Sequence, residues 1–583
     1  KACNSAGVCS VNSANLAVAT LAAPVPSPTP SSTPAGGLMI GSNSVGIAID
    51  TSIYGPTPTL DCPNQQTSGS IYVDSSFSGT SIGTFSQPYK KPSDIPGSSV
   101  VAGTKICIKR GSVFRNQWDI GFSGTSVAPV IITSYGSGNA PLFLGSTAIS
   151  QWTPFGNGIY KATGVTLNVN RLYSNGQLQT MARYPNKNAS NPLLYKDVSQ
   201  SNQLKDSDLA TVNALFPNIN YVGSQAVIKN NNWSWLPMKI SSVVSPTVLQ
   251  LDPNGFSYAA GYGGIFPEWK DYKFGYYLQS KLEYLDQAGE WYYDSAAQTL
   301  YFKTSDGQPP GTLEATGIDT NNNNQFRSIA IFNRNNIKIQ NLEFRHQPYS
   351  ALSVEGWGAN NNNPRGFSEN IEISHCKFYS TQRGITTGQD KNIKIQHNWM
   401  EKNHFEAMRG LGSVSADVSY NYFLDIALEY GINYSDWSNF GLNWSSGDGE
   451  SFNIHHNVMD KVGYIAISTG GRGAIEKNFI RNATYIFNDG GAITFDHVQP
   501  APGGLSVKQN IILDCPGTLF GTGSDYHHYE LMCSGIGFGD QKNSNTRVTE
   551  NTIANTTRAA VSIDESLMYL NGTSGAYGPN RGH

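Results

Sequence analysis

Charged side chains are sparse in this chain: 39 Lys and Arg and 42 Asp and Glu are spread over 583 residues. The places where they gather are therefore informative. Between positions 404 and 497 lie His404, Glu406, Arg409, Glu429, Asp460, Asp489, Asp496 and His497. Carboxylates about 5–5.5 Å apart suit a nucleophile and an acid acting on one glycosidic bond, whereas about 6.5–9.5 Å leaves room for an attacking water. The segment Asn488-Asp489-Gly490-Gly491-Ala492-Ile493-Thr494-Phe495-Asp496-His497 is the most suggestive. An Asp ahead of two glycines opens space for a ligand at a strand start, and it equally reads as an Asp-Gly turn. His455-His456 imitates a metal pair, but neighbours on a strand face opposite ways, so no metal is expected there. Calcium at Asp/Glu/Asn loops is left open by residue type, with no compact calcium motif behind it. No cofactor is expected.

Such residues need a scaffold, and the sequence carries a repeat. The frame apolar-x-apolar-x-x-Asn-x-apolar returns at Asn341, Asn398, Asn421, Asn457, Asn478, Asn510 and Asn551, with Cys376 in the same slot. The intervals are 35, 22, 23, 36, 21, 32 and 41 residues, so the basic period is near 22 and loops account for the rest. A fixed period of this size marks a solenoid. Short strands of one turn pair with the copies above and below at about 4.8 Å, which buries a face that one turn alone cannot bury. An Asn can adopt left-handed angles at a corner and hydrogen-bond along a ladder. The reading is all-β: a parallel β-helix, in which Cys376 is a small buried thiol. Ile385-Thr386, Met408-Arg409, Ile432-Asn433, Ile467-Ser468 and Ile493-Thr494 then occupy equivalent places, apolar member inward.

Around this core the chain divides into four parts. Residues 1–60 are an N-terminal arm and Pro/Ser/Thr-rich linker, extended because proline lacks the amide proton and favours polyproline geometry. Residues 61–165 read as N-terminal coils. Residues 166–315 read as an inserted antiparallel β module, signalled by Asn175-Gly176, a hairpin turn pair. Residues 316–583 are the main β-helix. The longest insertions, 346–369, 434–450, 497–503 and 520–545, are expected to overhang a shallow groove. Trp437, Trp444 and Tyr526, with His497, could stack on or touch a sugar there, or pack the loops onto the coil.

Composition narrows the functional classes. A net charge near −3 excludes a basic nucleic-acid binder, and no stretch reaches 18 apolar residues, so no membrane span is read. The 30 Tyr, 25 Phe and 10 Trp argue against disorder. Disulfides are expected for Cys3–Cys9, Cys62–Cys107 and Cys515–Cys533, and N-glycosylation at the sequons of Asn188, Asn232, Asn433, Asn443, Asn482, Asn555 and Asn571. Low charge, disulfides and the Pro-rich tract point to a secreted or cell-surface protein. The start at Lys1 rather than Met is what removal of a leader leaves.

Gly83-Thr84 with Pro88-Tyr89, Ala182-Arg183-Tyr184-Pro185-Asn186, Gly289-Glu290-Trp291-Tyr292-Tyr293-Asp294 and Asp489-Gly490-Gly491-Ala492-Ile493 resemble segments of the pectate-lyase-like right-handed parallel β-helix superfamily. The narrower likeness is to secreted β-helix glycoside hydrolases with an inserted β-sandwich, of β-xylosidase-like and fucosidase-like type. The resemblance implies right-handedness and a pair of acidic residues on the helix face. Asp489 matches one of them, and Asp496, Glu429 and Asp460 compete for the other. The polysaccharide-lyase branch uses a Lys or Arg base, for which Arg409 with Glu406 and His404 is the comparable cluster. Three functions are consistent with these readings: a glycoside hydrolase on an extracellular polysaccharide, a filament or surface-layer subunit self-associating through residues 1–60, and a glycan-binding surface protein.

Overall fold

The computed structural model describes residues 49–200, 202–252, 272–317, 326–356, 366–431, 439–445, 451–495, 504–523, 531–538 and 546–563. The Pro-rich arm lies outside them, as do Cys3, Cys9, Asn433, Trp437, Asp496, His497, Tyr526 and Asn571. The described strands all belong to one unit, Ile53–His583.

The chain winds through three parallel sheets, one strand of each per coil. Sheet 1 runs from Ser70–Val73 through Asn335–Gln340 and Val414–Ser419 to Thr546–Thr549. Sheet 2 runs from Val113–Phe114 through Glu343–Arg345 and Tyr422–Ile426 to Thr552–Thr556. Sheet 3 runs from Trp118–Ile120 through Met408–Leu411 and Gly490–Phe495 to Val561–Ile563. This is a β-helix, and alternation explains it. In Ile371-Glu372-Ile373 both isoleucines are fully buried, while Glu372 turns outward to Lys338 at 2.7 Å. Like residues stack inside from coil to coil: Phe143, Phe344 and Phe378 have centroids 5.4 and 4.9 Å apart. Each such buried ring contributes about 1.5–3 kcal/mol.

The sheet 3 register aligns Ile385, Met408, Leu442, Ile467 and Ile493 inward, and Thr386, Arg409, Asn443, Ser468 and Thr494 outward. One rung differs from the sequence reading. Leu442-Asn443, not Ile432-Asn433, fills the third place. Ile432 and Asn433 lie outside the described residues, and on either side of them Leu428, Tyr430 and Phe440 pack against the inserted module.

Corner 1, between sheets 1 and 2, carries the Asn ladder. Asn398, Asn421, Asn457, Asn478 and Asn510 each accept the backbone N–H of the preceding slot on Oδ1, at 2.9–3.0 Å, and donate from Nδ2 to the next Asn in line. The left-handed residue is not the ladder Asn but the one before it: His375, His397, Tyr420, His456, Lys477, Gln509 and Glu550 all have φ of 51–58°. The kink points that residue out and leaves the Asn amide inside, where it satisfies corner backbone groups. Asn341 departs from the ladder. Its φ is 62°, and its amide clasps Thr57, accepting from Thr57 N at 2.9 Å and donating to Thr57 O at 2.7 Å. Residues 53–62 thus run across the outside of corner 1. Tyr54 lies on Tyr422, Gly55 N donates to His397 O, and the Cys62–Cys107 disulfide, Cα atoms 6.0 Å apart, fastens the end. A second disulfide, Cys515–Cys533, lies in the coil interior with Cα atoms 5.5 Å apart, and Cys376 is a buried free thiol.

The inserted module is spliced into corner 2, between sheets 2 and 3. It takes in strands from Thr147–Ile149 to Leu313–Gly317, so it begins before residue 166. The strands Thr153–Gly156 and Ile159–Thr163, read from sequence as coil, belong to it. Its sheets are antiparallel apart from the pair Thr180–Met181 with Glu290–Asp294. Asn175-Gly176, with φ of 49° and 75°, closes the hairpin that pairs Tyr173 with Leu178. Among the described residues no helix is long and apolar enough to cross a membrane.

Candidate functional site

Corner 2 brings coil and module together. Val227, Trp235 and Tyr277 of the module pack on Phe440, Tyr464, Ile486 and Phe487 of the coil. A buried lysine fastens the contact: Lys229 Nζ donates to Phe520 O at 2.9 Å and Thr522 Oγ1 at 2.7 Å. Burial pulls its pKa down to about 7. Nearby, Asn488 N donates to Asn232 O at 3.0 Å. Asn232 is 1% exposed, which leaves no room for a glycan at that sequon.

Beside this contact lies a cleft of about 430 Å³. The module strand Val169–Ser174 supplies Arg171, Arg183–Tyr184 supplies Arg183, and Gly275–Gln279 supplies Tyr277 and Gln279. Glu290–Asp294 supplies Trp291 and Tyr293, and the coil adds Glu429, Tyr430 and Phe520. The Arg183 guanidinium lies 3.4 Å from the Tyr277 ring centroid and donates to Pro185 O at 2.9 Å and Pro192 O at 2.6 Å. Lys187 reaches Glu429 at 2.8 Å.

Of the sequence-derived site residues, Glu429 alone among those described lines this cleft. Asp489 stands at the same corner two coils further on, where it precedes Gly490–Phe495. It has φ of 57°, so it is the turn residue the Asp-Gly pair suggests. Tyr464 OH donates to its carbonyl at 2.8 Å, and its carboxylate accepts from Arg558 at 3.3 Å.

The others lie away from this cleft. Asp460 is on sheet 2, not on the sheet 3 row; it pairs with Arg481 and accepts from Asn482 Nδ2 at 3.1 Å. Glu406 is 1% exposed, accepts from Arg383 Nε at 2.6 Å and lies 3.9 Å from Arg409 Nη1, so the pair is brought together but its carboxylate is closed off from solvent. His404 is buried behind the module, its Nε2 3.0 Å from Tyr173 OH, and burial holds its pKa well below the usual imidazole range. Tyr173 and Ser380 enclose it, and it does not open onto the cleft. Trp444 is fully buried in the coil, not presented to a ligand. Gly410 on the previous coil makes the space, since a Cβ there would lie 2.3 Å from the Trp444 ring.

At corner 1 the left-handed kink at His456 defeats strict alternation and brings the Nδ1 atoms of His455 and His456 to 2.7 Å. Among the described residues no three His, Cys, Asp or Glu gather as a metal site. Sequence reasoning missed Arg171, Arg183, Lys187, Gln279, Trp291, Tyr293 and Tyr430. The one local signal was Arg183-Tyr184, an Arg beside an aromatic ring in a chain poor in charge; the others carry no such pair within their own segments.

No protein-family model matches the chain, and no curated protein matches it. Solved structures do. One described as a glycoside hydrolase superposes with a TM-score of 0.58 at 15% identity, covering 85% of this chain and 96% of that one. A complex of XylC with xylose gives 0.36 at 11% identity, covering 82% and 70%. A GH136 lacto-N-biosidase from Eubacterium ramulus gives 0.33 at 10%, covering 83% and 67%. At these identities the first likeness is one of fold: this chain shares its architecture with a glycoside hydrolase.

Proposed function

We propose that this chain is a secreted carbohydrate-active protein, a glycoside hydrolase of the right-handed, pectate-lyase-like β-helix type acting on an extracellular polysaccharide. The observation that carries the reading is the cleft at corner 2, in which Tyr293 and Tyr430 share walls with Glu429 and Gln279. Aromatic walls give a sugar ring its apolar face, and a few polar groups fix its orientation. The fold shared with a solved glycoside hydrolase supplies the scaffold for this reading.

Hydrolysis needs one carboxyl group to protonate the glycosidic oxygen as the C–O bond breaks, and a carboxylate opposite to take a proton from water as it attacks. We assign this work to Glu429 and Asp489. They belong to one corner two coils apart, Glu429 on the cleft wall and Asp489 beyond its described lining, and regular rungs at that interval stand about 10 Å apart. That spacing favours the inverting course, in which a water sits between the groups. Asp496, one residue beyond the strand that Asp489 opens, is the alternative partner. Glu429→Gln, Asp489→Asn and Asp496→Asn are to be assayed for reducing-sugar release from a panel of plant and bacterial polysaccharides. The first two should each lose at least about a hundredfold in rate with unchanged circular dichroism. Undiminished hydrolysis by Glu429→Gln would remove it from the mechanism, and a retained anomer in the product would exclude the inverting course.

A further inference from the structure

The charges in the cleft are lopsided. Its walls hold Arg171, Arg183 and Lys187 against a single described carboxylate, Glu429, three positive to one negative, on a chain whose net charge is −3. Lys187 and Glu429 answer each other at 2.8 Å. Arg183 is in a different position. It is 7% exposed, and its bonds from Nε and Nη2 go to the neutral carbonyls of Pro185 and Pro192. Among the described residues no carboxylate forms an ion pair with it. The Glu290 carboxylate lies against the Arg183 backbone N–H, and both Glu290 and Glu429 act on the guanidinium without an ion pair, while burial pulls its pKa down. A buried cation held by carbonyls and an aromatic face keeps an electrostatic demand that only an anion meets. A guanidinium meets a carboxylate in a planar, two-bond geometry that neutral hydroxyls cannot match.

We infer that the cleft takes a carboxylate-bearing sugar, a uronic acid residue of an acidic glycan, with Arg183 and Lys187 as the groups that read its charge. The inference rests on the proposed role of the cleft as a glycan site. It places that recognition on the inserted module rather than on the coil. Tyr293 comes from the same module, so this ring and the anion-reading cations belong to one element of the fold.

The test is calorimetric titration of the full chain with tetramers of galacturonate and of mannuronate–guluronate, and with xylotetraose and cellotetraose as neutral counterparts. At least one acidic tetramer should bind tenfold or more tightly than either neutral one, and 0.5 M NaCl should erode most of the difference. Arg183→Lys keeps the charge but loses the planar fork, and Lys187→Met removes an exposed charge with little risk to folding. Each should cut the preference several-fold, with neutral-sugar binding changed less. Equal or tighter binding of a neutral tetramer overturns the acidic specificity and leaves the glycan cleft standing. A preference untouched by both substitutions overturns the assignment of the anion to this cleft. No binding of any tetramer overturns the inference together with the reading beneath it.

Discussion

Glu290 shows what burial does to one residue of the module. It is 3% exposed, it accepts the backbone N–H groups of Gln287 and Asp286 at 3.2 and 3.3 Å, and burial raises its pKa from 4.5 to about 7. The folded protein therefore holds this proton more tightly than the unfolded chain. Its contribution to stability is full below about pH 4.5 and is lost as pH rises through about 7. Glu290→Gln keeps the acceptor and removes the titration. Urea unfolding of wild type and variant at pH 5 and pH 8 should diverge, with the wild-type loss across that interval larger by up to about 3 kcal/mol. Parallel pH dependences would show that Glu290 does not titrate in this way.

Among elements, the corner ladder has the most at stake. Asn421 accepts from Asn398 N and Nδ2 at 3.0 Å and donates to Ile395 O at 2.8 Å, all at a fully buried position. Asn421→Ala strands Asn398 N and Ile395 O, and each unpaired buried group costs about 1–3 kcal/mol. A loss of about 2–5 kcal/mol in urea unfolding is expected, and a change near zero would mean that water enters the corner and replaces the amide. Cys376 shows the limit of the motif. It keeps the N–H contact to Asn398 Oδ1 at 3.0 Å, but its thiol has no amide to pass along, so the ladder starts one coil later.

For the whole molecule, the instructive segment is the one that crosses the rungs. Residues 53–62 tie coils far apart in sequence, through Thr57 on Asn341 and Cys62 on Cys107. A chain that starts at Ile53 keeps these ties and should melt like the full chain. One that starts at Gln65 loses them, at a cost of about 2–5 kcal/mol for the disulfide alone. Calorimetry of both truncations checks this, and equal melting of the two would show the segment to be passive. The same Ile53 start separates the enzyme from the filament subunit. By sedimentation, an enzyme should keep its oligomeric state, whereas a subunit joined through its first 60 residues would stop assembling.

Local regularity made the coil legible. Apolar residues two apart and an Asn at a fixed offset are properties of neighbouring residues, and stacking repeats them, so the rung partners of Ile385, Met408, Ile467 and Ile493 follow from the sequence by itself. The Ile432 rung misled because the interval between coils lengthens there, and an irregular interval has no period to read; Leu442 takes the place instead. The site was legible only in part for the same reason. Glu429 stood out as a rare charge, but Arg183 and Trp291 reach it from more than 130 residues away in sequence. Nothing in the spacing of one segment reports which distant corner it will meet. Whether a charge is spent inside the protein is likewise a matter of packing: Asp460 met Arg481, Glu406 met Arg383, and Trp444 found the hollow over Gly410. Only the folded chain, by closing the module onto corner 2, decided which side chains share a cleft.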